Sequence, residues 1–217
     1  MSQKNSKTND LAGKVLEVKD WATPYTGVPE ALSGRARLHF ARYTRGYYRL
    51  EGIDGYEFYH LQQSLGVMCL QIREGRKWNT WMVDDPLHWL GMEAFVKRLR
   101  GGKVLCAGLG LGLMVFHLVK QPYVTGIDIV EREPDVVHLI EPHLPKDPRI
   151  TIYAGLDFYE FIQRPPVQYD CVLWDLAVGE RKDTWLDFIL AGRIKYHLPH
   201  TQLMRFGAIS DLRGETK

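Results

Sequence analysis

The second half of the chain alternates short apolar runs with segments of helical periodicity, and this alternation restricts the fold more than any other feature. Strands are predicted at Val104–Ala107, Val124–Ile129, Ile150–Tyr153, Cys171–Trp174 and Leu203–Ile209. Helices are predicted between them, at Leu111–Lys120, Pro134–Ile140, Asp157–Gln163 and Thr184–Lys195. Strands that are followed by helices require right-handed crossovers, and nearly continuous apolar strands are typical of parallel sheets covered on both faces. We therefore predict an α/β fold whose ligands bind outside the carboxyl ends of the strands.

The segment before this alternation has a different pattern. Aromatic and branched runs separated by glycine or Asp-Gly predict short strands at Arg35–Phe40, Tyr47–Leu50, Tyr56–Leu61, Val67–Ile72 and Trp78–Val83. The last two strands are joined through residues 73–76, which is typical of a hairpin. Asp84, Asp85 and Pro86 then supply an N-cap and a first-turn proline for a helix.

These patterns divide the chain into three predicted parts. A polar N-terminal tail and lead-in covers 1–33, and a small antiparallel β-unit covers 34–85. The third part, 86–217, is predicted to be a Rossmann-like domain with a mostly parallel sheet and helices on both faces.

Composition excludes several classes of protein. A chain of 217 residues with 45% hydrophobic and 25% charged residues is neither disordered nor fibrous. The longest stretch without a formal charge, Val104–Val119, is too short and too rich in glycine to span a bilayer. The N-terminus has no apolar core typical of a secretory signal, and the three cysteines lie singly in apolar runs. We therefore predict a cytoplasmic protein with no membrane partner.

Neither charge nor histidine spacing predicts a nucleic-acid or metal site. A net charge of +2 is a weak field, and the alternating Arg and Tyr residues of 35–49 are as typical of an exposed strand face as of a single-strand binding surface. The pairs His138 with His143 and His197 with His200 have no convincing third ligand. We expect no catalytic metal and consider a nucleic-acid partner unlikely.

A glycine-rich loop follows the first strand of the α/β segment. Gly108, Gly110 and Gly112 stand between that strand and a helix, where glycine lets the backbone approach a ligand closely. A dinucleotide fingerprint would have its third glycine at the position of Leu113, so the loop is better suited to a nucleoside without a pyrophosphate. A helix-entry turn that binds no ligand remains the alternative.

Three acidic residues stand at or near the ends of the next three strands. Asp128, Asp157 and Asp175 would meet the glycine loop at one edge of a parallel sheet. Carboxylates there can accept hydrogen bonds from a ribose diol and an exocyclic amine. The alternative for Asp157 and Asp175 is that each caps the helix that follows it.

These residues resemble the class I S-adenosylmethionine-dependent methyltransferases, and more closely their spermidine-synthase-like branch. Residues 124–130 are similar to the acid-bearing second strand of that branch, and 155–161 to its Gly-Asp-Ala-x-x-Phe segment with one residue inserted. Residues 169–175 are similar to Tyr-Asp-x-Ile-x-x-Asp. Cys106 stands where methyltransferases usually have an acid and spermidine synthases have an apolar residue.

The resemblance implies a cofactor, S-adenosylmethionine or its decarboxylated form, and a role for each candidate residue. Gly108, Gly110 and Gly112 would approach its methionine part, Asp128 its ribose, and Asp157 its adenine amino group. Asp175 would be the catalytic residue that faces the sulfonium and the acceptor, and would deprotonate or orient the attacking group.

Two departures from the family bear on the reaction. Spermidine synthases have a second aspartate shortly after the position of Asp175, and this chain has none in Leu176–Glu180, which counts against a polyamine acceptor. The chain also ends at Lys217, without the strand pair that usually completes the sheet. An open sheet edge of this kind is one that a second copy of the chain could cover as a homo-oligomer.

Three functions follow as hypotheses. The first is an enzyme that transfers a methyl group from S-adenosylmethionine to a small molecule, mainly by holding the nucleophile in line with the sulfonium carbon. The second is a spermidine-synthase-like aminopropyltransferase that uses the decarboxylated cofactor. The third is a non-catalytic nucleoside-binding protein.

Overall fold

A computed structural model describes residues 15–49, 58–174 and 184–205. In the first part of these residues it places seven strands: β1 (Val15–Val18), β2 (Ala31–Ser33), β3 (Ala36–Tyr43), β4 (Gly46–Arg49), β5 (Phe58–Leu61), β6 (Leu65–Glu74) and β7 (Lys77–Val83). One antiparallel sheet has the order β2-β3-β6-β7, and a smaller sheet has the order β1-β5-β4. The predicted hairpin through 73–76 is confirmed, because β6 and β7 pair directly across it.

The β-unit differs from the prediction at its start. Strands β1 and β2 lie within 1–33, which was predicted as tail and lead-in, and β1 pairs with β5 in parallel. Local pattern missed these strands because both are short and depend on distant partners: of the four residues of β1 only Val18 is buried. The boundaries of the three predicted parts stay a prediction.

The second part of the described residues alternates helices and strands. In chain order it contains α1 (Pro86–Val96), β8 (Gly102–Ala107), α2 (Leu113–Leu118), β9 (Val124–Glu131), α3 (Pro134–Ile140), β10 (Ile150–Ala154), α4 (Phe158–Phe161), β11 (Cys171–Trp174), α5 (Thr184–His197) and β12 (Gln202–Arg205). All strand pairs are parallel, in the order β10-β9-β8-β11-β12. The predicted α/β fold with a Rossmann-like parallel sheet is confirmed.

Strand order places a potential ligand site. The chain moves outward from β8 to β9 and β10, then crosses back to β11 on the other side of β8. Ligands of open α/β sheets bind at such a reversal, outside the carboxyl ends of the strands. The loop after β8 and the ends of its neighbours are therefore the expected site.

Two apolar cores cover the parallel sheet. On one face Cys106, Ile127 and Ile129 pack with α1 to α3 and with residues of the β-unit such as Leu38 and Leu70. On the other face β8, β9 and β11 pack with α4 and α5. The β-unit thus shares a core with the parallel sheet instead of forming a separate one.

Asp84 and Asp85 join the β-unit to α1. Asp84, buried, accepts hydrogen bonds from the backbone N–H of Met68 at 2.6 Å and from the hydroxyl of Thr23. Asp85 is the N-cap of α1 and accepts a hydrogen bond from the backbone N–H of His88 at 2.9 Å, with Pro86 in the first turn, as the sequence predicts. None of the helices in the described ranges is both long and apolar enough to cross a membrane.

Candidate functional site

A cavity of about 250 Å³ lies outside the carboxyl ends of β8, β9 and β10. The glycine loop forms its floor, and its walls come from the end of β9, the start of α4, β7 and the helices α1 and α2. The cavity is therefore where strand order predicts a ligand, and it lies between the β-unit and the parallel sheet.

All three glycines of the loop have a left-handed backbone, and a Cβ would also collide with a neighbouring side chain at two of them. Gly110 has φ of +53°, and a Cβ there would lie 2.8 Å from Sδ and Cε of Met82. Gly112 has φ of +67°, and a Cβ there would collide with the side chain of Leu144. Both conformations are costly for residues with a Cβ. Gly108 and Gly110 line the cavity, and Gly112 begins α2 behind it.

Hydrogen bonds fix the loop to the elements around it. The backbone N–H of Leu109 donates to Glu131 Oε2 at 2.8 Å, and that of Leu111 donates to Met82 Sδ at 3.2 Å. The carbonyl oxygen of Leu111 accepts from the hydroxyl of Tyr25, a residue of the lead-in that is only 1% exposed. The loop is held in place by its neighbours before any ligand arrives.

Glu131 is the acid that the end of β9 presents to the cavity. Its Oε2 accepts from Leu109, and its Oε1 accepts from the backbone N–H of Glu133 at 2.8 Å. Each carboxylate oxygen has the capacity to accept a second hydrogen bond. Glu131 was not among the predicted site residues because the apolar pattern ends this strand at Ile129, whereas the strand continues for two more residues.

Asp128, the predicted ribose ligand, does not line this cavity. It is 1% exposed, and its Oδ2 accepts from the hydroxyl of Tyr169 at 2.7 Å and lies 3.1 Å from Lys103 Nζ. Lys103 is near the start of β8, and Tyr169 precedes β11, so this cluster lies toward the opposite edge of the sheet. Its position three residues before the end of β9 leaves Asp128 inside the sheet.

Asp157 lines the cavity and also caps a helix. Its Oδ1 accepts from the backbone N–H groups of Tyr159 at 2.7 Å and Glu160 at 3.3 Å. Both of these bonds use one oxygen, so Oδ2 is the atom that would accept from a ligand. The two alternatives for Asp157, helix cap and ligand contact, are compatible in one side chain.

The β-unit contributes a wall that the sequence analysis did not predict. Trp81 and Met82 of β7 line the cavity, together with Met92 of α1 and Met114 of α2. In the pairing of β7 with β6, Met82 lies opposite Leu70 and Thr80 opposite Gln71, so Trp81 is an extra residue in a β-bulge. Bulges are not readable from apolar alternation, which is why this wall was missed.

Asp175, the predicted catalytic residue, lies outside the described residues, so its position relative to the cavity stays a prediction. Cys106 lines the cavity, but burial raises the pKa of its thiol, which opposes a nucleophilic thiolate. Within the described ranges, no three His, Cys, Asp or Glu residues are grouped so that they could hold a metal ion.

Comparisons with known proteins found similarity of structure and not of sequence. No family model matches the chain, and no curated protein does. Human methyltransferase-like protein 13 in complex with SAH is 16% identical, with a TM-score of 0.39, over 52% of this chain and 56% of that one. A spermidine synthase in complex with the transition state analogue AdoDATO is 17% identical, with a TM-score of 0.41, over 69% of this chain and 47% of that one.

Spermidine synthase from Thermotoga maritima is 17% identical, with a TM-score of 0.43, over 71% of this chain and 47% of that one. The chain spans about half the length of the solved structures that it matches.

Proposed function

We propose that the chain is an S-adenosylmethionine-dependent transferase, and that it transfers a methyl group to a small molecule. The observation that carries this proposal is the Glu131 carboxylate, which lines a cavity at the switch point of the sheet and is bonded to the glycine loop. A ribose diol is a pair of donors, and an ionised carboxylate accepts both strongly.

The residues present fit an adenosyl ligand. Asp157 Oδ2 would accept from the adenine amino group, and Glu131 would accept from the ribose, in the order in which β10 and β9 lie in the sheet. Gly108 and Gly110 line the cavity and are proposed to border the methionine part. Met82 packs directly on Gly110, so the missing side chain there makes room for Met82. The ligand's sulfonium would supply an electrophilic methyl carbon.

The chain's own contribution to the reaction is mainly position and exclusion of water. The side chains of Trp81, Met82, Met92 and Met114 make part of the cavity wall apolar. A nucleophile held in line with the methyl carbon there would react without the cost of solvent reorganisation. Asp175, the residue that follows β11 in the sequence, is proposed to orient or deprotonate that nucleophile.

Titration calorimetry with S-adenosylhomocysteine tests the ribose assignment. Glu131→Gln is expected to weaken binding by about tenfold to a hundredfold, because a charge-assisted hydrogen bond is lost. Asp128→Asn is the matched control, since it also neutralises a buried acid of β9, and it is expected to bind like the wild type. The 2′,3′-dideoxy analogue of S-adenosylhomocysteine, which lacks the ribose diol, should bind the wild type weakly. The Glu131→Gln variant should bind this analogue no more weakly than the wild type does.

Four outcomes would change the proposal. Normal binding by Glu131→Gln would show that the ribose assignment is wrong, and a wild type that binds no adenosyl ligand would overturn the proposed cofactor. Mass spectrometry of mixed amine and hydroxyl acceptors then identifies the transferred group. Aminopropylated products would show the spermidine-synthase-like reaction, and binding without turnover would support a nucleoside-binding protein. The cytoplasmic location stays a prediction.

A further inference from the structure

The turn between β2 and β3 packs on the start of α3, in the segment that follows Glu131. The hydroxyl of Ser33 donates to Asp135 Oδ1 at 3.1 Å, and the backbone N–H of Arg35 donates to Asp135 Oδ2 at 2.8 Å. The guanidinium of Arg35 adds a weaker contact, because its Nη1 lies 3.5 Å from Glu133 Oε2. Two residues of the turn thus hold two acids at the start of α3.

Gly34 permits this contact because it has no side chain. Its φ is +46°, and a Cβ there would collide with the carboxylate of Asp135. Gly75, in the turn between β6 and β7, has a similar φ of +61°, but a Cβ there would meet no atom within 4 Å. Of these two left-handed glycines, one is pressed on α3 and the other faces open space.

The start of α3 has no side-chain cap of its own. Its N-cap residue, Glu133, makes no capping hydrogen bond through its side chain, and Pro134 has no N–H to donate. Contacts from outside the helix therefore help to fix its first residues, and the turn between β2 and β3 supplies polar ones.

The start of α3 is bonded in turn to the acid that borders the cavity. The backbone N–H of Glu133 donates to Glu131 Oε1 at 2.8 Å, and the backbone N–H of Leu109 donates to Oε2. A shift of the first residues of α3 would move the Glu133 donor. One of the two hydrogen bonds described for the Glu131 carboxylate would then be lost.

We propose that Asp135 is a positioning residue of the adenosyl site. By anchoring the turn on α3 it keeps the N–H of Glu133, and through it the carboxylate of Glu131, in the orientation that accepts the ribose diol. This inference rests on the proposed function, in which Glu131 binds the ribose. None of the residues 33–35 lines the cavity, so the turn acts on ribose recognition without touching the ligand.

Calorimetry with S-adenosylhomocysteine and with its 2′,3′-dideoxy analogue tests the role of the turn. Gly34→Ala places a methyl group against the Asp135 carboxylate, and Asp135→Ala removes the acceptor. Both variants are expected to bind S-adenosylhomocysteine about threefold to tenfold more weakly, which is the effect of one misplaced hydrogen bond, and to bind the dideoxy analogue like the wild type. Asp135→Asn retains one acceptor oxygen and should keep part of the affinity.

Gly75→Ala is the matched control. It introduces the same kind of left-handed alanine into a turn of the same β-unit, but its methyl group reaches no neighbour. It should bind both ligands like the wild type. The melting temperature of each variant shows whether it is folded.

Amide hydrogen exchange at Glu133 gives a second readout, which needs no ligand. In Gly34→Ala and Asp135→Ala this N–H should exchange at least about threefold faster than in the wild type, because its hydrogen bond to Glu131 opens more often. In Gly75→Ala its exchange rate should stay unchanged.

The outcomes separate this inference from the proposed function. A loss of affinity that is equal for both ligands, or equal in Gly34→Ala and Gly75→Ala, would show a general loss of structure and overturn the positioning role. Unchanged exchange at Glu133 in Asp135→Ala would also overturn it, and the adenosyl site would remain. A wild type that binds neither ligand overturns the proposed function, and this inference with it.

Discussion

Asp128 and Glu131 lie on the same strand, β9, but their carboxylates have different surroundings and different hydrogen-bond partners. The side chain of Asp128 is enclosed between Lys103 and Tyr169, and its contacts hold strands of the sheet to one another. Glu131 ends the strand, where its carboxylate fixes the glycine loop and borders the cavity. At the scale of a residue, a shift of three positions separates a carboxylate enclosed in the sheet from one that lines the cavity.

Asp128→Ala is expected to lower the free energy of unfolding by about 1–3 kcal/mol, because it leaves a buried hydroxyl without an acceptor and Lys103 without its counter-charge. We expect a value in the lower part of that range, because the side chain of Lys103 is 34% exposed and solvent screens its interaction with Asp128. Urea denaturation measures the change. A variant with unchanged stability and lost affinity for the adenosyl ligand would restore the original assignment of the ribose to Asp128.

The individual residues of the site were harder to predict from the sequence than the secondary-structure elements. Glycine spacing and an acid before a short helix were enough to predict Gly108, Gly110 and Asp157 as residues at the sheet edge, and all three line the cavity. Glu131, and not Asp128, lies at the end of β9 because β9 pairs with β10 as far as Glu131. That pairing is a long-range contact, so local apolar pattern does not contain it.

At the scale of elements, Arg149 stabilises the connection from α2 to β9. Its guanidinium donates to the carbonyl oxygens of Val119 at 2.6 Å and Val124 at 2.8 Å, and to Asp147 Oδ2 at 2.7 Å. A helix leaves its last carbonyl groups without partners inside the helix, and a side chain that bonds them closes its end. The C-terminal end of the short helix α2, whose N-terminus follows the glycine loop, is thereby fixed.

Arg149→Lys should lower the free energy of unfolding by about 1–2 kcal/mol, because an ammonium group cannot reproduce the planar set of donors. The hydrogen bond from Arg149 lowers the pKa of Asp147 to about 2. A lowered folded-state pKa gives stability above the unfolded pKa that is lost as the pH falls through the folded value. The difference between wild type and variant, measured by urea denaturation, should therefore shrink between pH 4 and pH 2, and a constant difference would contradict the pairing.

Elements were predicted best where their pattern is local. The N-cap of α1, the hairpin of β6 and β7 and the alternation after Gly102 depend on residues close in sequence, and the structure confirms them. Strand β1 and the bulge at Trp81 depend on partners that are distant in sequence or on a shift of register. Propensity alone does not distinguish such features from loops and regular strands.

At the scale of the molecule, the β-unit and the parallel sheet are joined at several distant points. The hydroxyl of Tyr25 donates to the carbonyl of Leu111 in the glycine loop at 2.7 Å, and Asp135 of α3 accepts from the backbone N–H of Arg35 at 2.8 Å. Composition and periodicity predicted both parts but not how they dock, because docking rests on contacts between residues about a hundred positions apart. Asp84 lies at the junction of the lead-in, β6 and α1.

Asp84 gives the whole molecule a measurable dependence on pH. Burial raises the pKa of its carboxyl group above the usual value. A raised folded-state pKa means that the folded protein holds the proton more tightly, so stability from this group is greatest at low pH and is lost as the pH rises through the folded pKa. Asp84→Asn has no proton to lose, so its stability relative to the wild type should increase from pH 4 toward pH 7.

Chemical denaturation of both proteins across that range measures the effect, and a relative stability that is flat or falls with pH would contradict it.

The cavity has walls from two sheets, with Trp81 and Met82 on one and Glu131 and Asp157 on the other. A small molecule bound there touches both halves at once, and unfolding of either half would release it. Its binding free energy therefore adds to the free energy of unfolding, and saturation with the ligand raises the melting temperature. The melting temperature of the chain would then report the concentration of whatever small molecule occupies the cavity.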